Sequence, residues 1–136
     1  MPATRLSLAV LLALLALAVL GPASALARGG GGDRREVRAS GSCGRGASSN
    51  IRIRERNGGL EVEFEVEHTR ANARWSVVFV QERRVAYRGR ARTHAPSGSF
   101  SIERRLSDYP GADQVMARAV GPRGLTCQAS AVLSGS

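Results

Sequence analysis

The chain has 136 residues and a formal net charge of +9, from 20 basic and 11 acidic side chains. Three Phe, two Tyr and one Trp are its only aromatic residues, and lysine is absent. Such a chain holds one domain rather than several, and it is too poor in aromatic side chains to build a base-stacking platform for single-stranded nucleic acid.

The N-terminal segment reads as a secretory signal peptide. Arg5 precedes the apolar run Leu6–Leu20, and Gly21-Pro22 and small residues follow, which is the n-, h- and c-region order of such signals. The apolar run is about 15 residues, shorter than the roughly 20 that cross a bilayer as a helix. Cleavage motifs end at Ala25 and Ala27, and the second sets the boundary at residues 1–27. An uncleaved anchor is the alternative. Residues 28–35, "RGGGGDRR", lack apolar side chains and read as a flexible charged leader. Residues 36–136 are then a single domain.

From Glu36 onward the apolar residues recur with period two, the spacing of half-buried strands. Val37, Ala39, Gly41 and Cys43 share a face in the first expected strand. Ile51 and Ile53 open the next, with Arg52, Arg54 and Arg56 on the opposite side. "NGG" at 57–59 interrupts before "LEVEFEVEH", where Leu60, Val62, Phe64 and Val66 alternate with four glutamates. Asn-Gly between alternating runs is a hairpin signal. With Asn57-Gly58 as the loop, Arg54 faces Glu61 and Arg52 faces Glu63. With Gly58-Gly59 as the loop, Arg56, Arg54 and Arg52 face Glu61, Glu63 and Glu65. Either register makes the glutamates outward partners of the arginine row, each pair contributing about 0.2–1 kcal/mol.

After the loop "TRANA", "RWSVVFVQ" reads as a central strand with Trp75, Val77 and Phe79 on one side. "RVAYRGR" follows a turn at Glu82-Arg83. Pro96-Ser97-Gly98 breaks the chain before "SFSIERRL", and "SDYPGAD" forms the next turn. "QVMARAV" and "LTCQASAVL" complete the set, joined by "GPRG". Seven or eight short strands at this spacing predict an all-β fold, an antiparallel two-sheet sandwich of immunoglobulin or fibronectin III-like shape. Its expected core is Val62, Phe64, Val66, Trp75, Val77, Phe79, Tyr87, Phe100, Ile102 and Val115. Cys43 and Cys127, an even pair in an exported chain, are expected to form a disulfide joining the first strand to the last. Two thiols or an intermolecular link are the alternatives.

The layout "VRASGSCGRGAS … RWSVVFV … APSGSF … GLTCQAS" resembles small secreted one-disulfide β proteins of actinobacteria across essentially the whole mature chain. That resemblance implies export and a β-sandwich, and carries no activity. The chain is also similar in size to actinobacterial apoproteins that carry enediyne chromophores. Those typically have two disulfides and an acidic surface, so no chromophore-carrying role follows, and no cofactor is implied.

For function, the sequence offers a basic stripe in "RRVAYRGRART". With Val85 and Tyr87 facing inward, Arg84, Arg88, Arg90 and Arg92 line the outer face, and Arg74, Arg83, Arg104 and Arg105 lie near it. Such a stripe attracts anionic polymers such as cell-wall polymers or acidic glycans in a salt-sensitive way. The plain alternative is a solvated face coloured by a genome-wide preference for arginine. The expectation is therefore an exported, non-catalytic binding or envelope-associated module. A protein-binding inhibitor or adhesion module using loops or a strand edge is the second reading. A small secreted hydrolase is the third, with Ser97, His94 and Asp108 or Asp113 as its local triad candidates. Asp108 and Asp113 bracket a turn and could also suggest a weak calcium site.

Overall fold

Strict apolar–polar alternation buries one side of each strand, and here two such sets close on each other. A computed structural model of the protein describes residues 34–135. The expected signal peptide and all of the leader except Arg34 and Arg35 lie outside the described residues. Nine strands follow in order: β1 (Glu36–Ser40), β2 (Ser42–Cys43), β3 (Ser48–Arg56), β4 (Gly59–Glu67), β5 (Arg74–Gln81), β6 (Arg84–Arg92), β7 (Phe100–Ser107), β8 (Asp113–Val120) and β9 (Thr126–Leu133). They form a four-stranded sheet, β1-β3-β4-β7, and a five-stranded sheet, β2-β9-β8-β5-β6. All pairings are antiparallel. The expected all-β two-sheet sandwich is the architecture of the molecule, immunoglobulin-like in its layering.

The core lies between the sheets. Phe64 of β4 meets Phe79 of β5 and Phe100 of β7 edge-on, at ring-centroid distances of 6.4 and 6.3 Å. Trp75 packs on Phe100 at 5.7 Å. Each such aromatic pair contributes about 0.5–1.5 kcal/mol beyond its buried area. Of the ten expected core residues nine are buried. Tyr87 is half-buried at the rim of the core, edge-on to Phe79 at 5.5 Å.

Cys43 and Cys127 form the disulfide. They are direct register partners of β2 and β9, so the bridge ties neighbouring strands of one sheet at the two ends of the domain. The first strand is not continuous, however. It breaks at Gly41, so that β1 pairs with β3 in one sheet and β2 with β9 in the other. At the crossing a Cβ on residue 41 would lie 2.2 Å from the carbonyl oxygen of Gln128. Only glycine lets the chain pass this close to β9.

The β3–β4 hairpin turns on Asn57-Gly58, both at positive φ, as a two-residue I′ turn requires. Arg54 therefore faces Glu61, and Arg52 faces Glu63. Both pairs are salt bridges, and Arg56 adds a 3.0 Å contact to Glu61. Burial alone would raise the Glu61 carboxyl. Hydrogen bonding to Arg54 and its charge, with Arg56 assisting, outweigh burial and hold it below the usual range. Arg35 already belongs to the domain: its carbonyl accepts from the Glu55 amide at 2.9 Å and its guanidinium pairs with Glu55 at 2.8 Å.

Candidate functional site

The β5–β6 hairpin carries the basic stripe, and its local geometry decides which arginines share a face. Val78 faces Arg88, Ser76 faces Arg90 and Arg74 faces Arg92. Between Phe79–Tyr87 and Val80–Val85 the register shifts by one residue. Ala86 is the extra residue of a β-bulge, which reverses the alternation beyond it. Val85 thus sits opposite the outward Val80 and is 50% exposed. Arg84 sits opposite the buried Gln81. The expectation of an inward Val85 is corrected, and Arg84, though exposed at the start of β6, lies on the other side of the sheet from Arg88, Arg90 and Arg92. Arg88, Arg90 and Arg92 remain together on the outer face.

Strand neighbours complete that face. Val78 pairs on its other side with Arg118 of β8, placing Arg88 and Arg118 two strand spacings apart, about 9.6 Å. Arg88, Arg90 and Arg92 repeat at about 6.7 Å along β6. With Arg74 they make five exposed arginines on one sheet surface. Arg74 and Arg92 stand directly opposite each other, an unfavourable like-charge pair. The remaining outward residues of this sheet include Gln114, Thr126, Gln128 and Ser130, and no carboxylate. Val85, Val120 and Val132 are exposed among them. None of the five arginines joins a salt bridge among the described residues.

The opposite outer face is built from the same residue types with a different outcome. Arg52, Arg54 and Arg56 meet Glu61 and Glu63, Arg38 meets Glu36, and Ser101 donates to Glu63. There the charges are internally paired. Arg83, Arg104 and Arg105 fall outside the basic face. Arg83 is in the turn after β5, and Arg105 donates to the carbonyls of Arg56 and Asn57. Arg104 is on the inward register of β7, its guanidinium 4.5 Å over the Tyr87 ring and bonded to the Tyr87 hydroxyl at 3.0 Å. An inward charge on an edge strand also blunts edge-to-edge association.

The triad candidates are not brought together. His94 bridges to Ser99 before β7 begins, and Ser97 shares a 2.8 Å hydrogen bond with Ser99. Asp108 and Asp113 follow the far end of β7, whose eight residues span roughly 25 Å. Nor do the two acids present a ligand cage. Asp113 is buried and accepts from Gln81 Nε2 at 2.9 Å, and Arg35 lies 3.6 Å from Asp108. Hydrogen bonding to Asp113, then burial and the charge of Asp113, raise the Asp108 carboxyl above its ordinary range, against the pull of Arg35. Among the described residues no three His, Cys, Asp or Glu side chains cluster closely enough to hold a metal, and no helix is long and apolar enough to cross a membrane.

Arg118 is the face residue that the sequence did not single out. Alternation in "QVMARAV" points it outward, but only the β5–β8 register places it beside the β6 row. The fold and disulfide define a one-bridge, two-sheet all-β domain. No protein-family model matches the chain, and neither curated proteins nor solved structures give a match.

Proposed function

We propose that the protein is an exported, non-catalytic binding or envelope-associated module that contacts anionic polymers through the outer face of its five-stranded sheet. The observation that carries this reading is the asymmetry of the two outer faces: five arginines with no facing carboxylate on one, and arginines matched to glutamates on the other. Unmatched guanidinium groups present planar, multi-donor surfaces to carboxylate, sulfate or phosphate groups. Export is supported by the amino-terminal signal pattern and by the disulfide.

The test is retention on a heparin matrix. Arg88→Gln/Arg90→Gln is compared with Arg38→Gln/Arg56→Gln, which removes the same net charge from the opposite face. The reading expects the first pair to elute at clearly lower salt than the second. Equal shifts would reduce the effect to net charge and remove the face from consideration. A second reading, recognition of an extended protein segment, draws on β6 itself, a nine-residue edge strand with an unpaired backbone row.

A further inference from the structure

A cleft of about 200 Å³ lies at one end of the sandwich, where the β2–β3, β4–β5 and β8–β9 loops meet. Its walls include Arg45, His68, Arg70, Trp75, Arg123 and Leu125. The loops are fixed in place. Arg45 donates to the carbonyl of Arg123 at 3.2 Å, linking the first loop to the third. The amide of Gly121 donates to Leu125 at 2.8 Å. Arg45, His68 and Arg123 all sit at positive φ, between 55° and 59°. A Cβ on residue 121 would lie 2.5 Å from Cε2 of Trp75, the ring carbon bonded to Nε1. Glycine there lets the β8–β9 loop close against the indole.

Two features of this cleft point to a ligand. Trp75 is 1% exposed, and its Nε1 has no hydrogen-bond partner in the protein, whereas buried indole N–H groups ordinarily find an acceptor. The three arginines around it are donors only. None joins a salt bridge among the described residues, and no carboxylate lines the wall. The cleft is thus rich in cationic donors without a carboxylate to meet them, and Trp75 and Leu125 are among the residues that line it. We infer that it binds a small organic oxyanion, a carboxylate or phosphate ester on a compact apolar group, with the oxyanion on Trp75 Nε1, Arg70 and Arg123 and the apolar part against Leu125. This site is separate from the basic sheet face.

The chain has a single tryptophan, so its indole N–H gives one cross-peak in a proton–nitrogen NMR spectrum. Benzoate and phenyl phosphate are titrated as probes, with benzyl alcohol as the uncharged analogue. The inference expects a saturable shift of the indole peak with at least one anion, none with benzyl alcohol, and affinity weakened about tenfold or more in Arg70→Gln/Arg123→Gln, as loss of charged hydrogen bonds implies. Both replaced side chains are exposed, and an otherwise unchanged amide spectrum verifies the fold of the variant. Benzoate acting alone assigns a carboxylate site, and phenyl phosphate alone a phosphate site. An indole peak unmoved by either anion, an equal response to benzyl alcohol, or an unweakened response in the variant would overturn it. So would shifts confined to the amides of β5, β6 and β8, which would instead report the sheet face.

Discussion

Removing the disulfide as Cys43→Ala/Cys127→Ala tests how the domain is held closed. The two cysteines are 84 residues apart in sequence, so the bridge restricts almost the whole unfolded domain. In the chain-entropy treatment a loop of this size corresponds to about 4.6 kcal/mol at 25 °C. A domain of this kind has about 5–15 kcal/mol in all. With a urea slope of about 1.5 kcal/mol/M, the unfolding midpoint should fall by about 3 M. Alanine is the appropriate replacement because Cys127 is fully buried and a serine hydroxyl there would add a desolvation penalty. Unfolding is followed by Trp75 fluorescence and far-ultraviolet dichroism, with the reduced wild type measured alongside. Because β2 pairs with β9 at only two register positions, a local alternative exists, in which loss of the bridge merely frees β1 and β2. Amide exchange separates the two. The entropy reading expects protection to fall across both sheets by a similar free energy. Loss of protection confined to β1 and β2, with a midpoint shift below about 0.7 M, would refute it.

Gly41→Ala should destabilise the domain by about 1–3 kcal/mol, as overpacking does, since its Cβ would meet the Gln128 carbonyl at 2.2 Å. A change below 0.5 kcal/mol by urea unfolding would mean that β1 and β2 can part without loss. Arg54→Glu and Glu61→Arg should each cost more than the double exchange, with a coupling of about 1 kcal/mol in a double-mutant cycle. Recovery should be incomplete because Arg105 is the β7 partner of Glu61, and additive single effects would deny the pair any role in register. Asp108 gives a pH prediction. Its folded carboxyl is raised, so the folded chain holds a proton that the unfolded chain releases. Stability from this group therefore falls as pH rises from the unfolded value, about 4, through the folded one. Asp108→Asn should be more stable than wild type at neutral pH, by a margin that shrinks on acidification. A margin independent of pH between 4 and 8 would contradict the assignment.

Much of the fold could be read from local pattern. Asn57-Gly58 announced its turn, and the alternation on both sides of it selected the partners of Arg54 and Arg52 once the loop was placed. The two sulfurs reached each other because the first and last strands of a closed sandwich are neighbours. What local pattern could not carry was any feature that depends on a strand's neighbours. The bulge at Ala86 has no signature in "RRVAYRGR", because a single extra residue leaves composition and apolar count unchanged while exchanging the sides of Arg84 and Val85. Gly41 looked like one more member of an alternating face, and its meaning is set by the approach of β9. The loop cleft is less legible still: Arg45, the Arg70–Trp75 stretch and Arg123 come from three distant parts of the chain, and only strand order brings them together.

The preference for arginine over lysine fits a compositional habit and says little about function by itself. Placement is another matter. Of the ten acids among the described residues, seven are on strands of the four-stranded sheet, one is in the turn after β5, one is in the loop after β7, and Asp113 is buried at the start of β8. None faces outward from the five-stranded sheet, although its outer positions include polar residues such as Gln114, Ser76 and Ser130 that a carboxylate could replace without disturbing the core. A habit that substitutes one cation for another does not exclude anions from a single surface. Nor does it favour Arg74 directly opposite Arg92, an arrangement that an acid at either position would relieve. If the face is a binding surface, Arg92→Glu should raise folding stability by about 0.2–1 kcal/mol through pairing with Arg74 while weakening retention on heparin. Gain of stability with loss of binding is the pattern expected of a surface shaped for its partner. If the replacement stabilises the domain and leaves retention untouched, the absence of acids from this face has another cause.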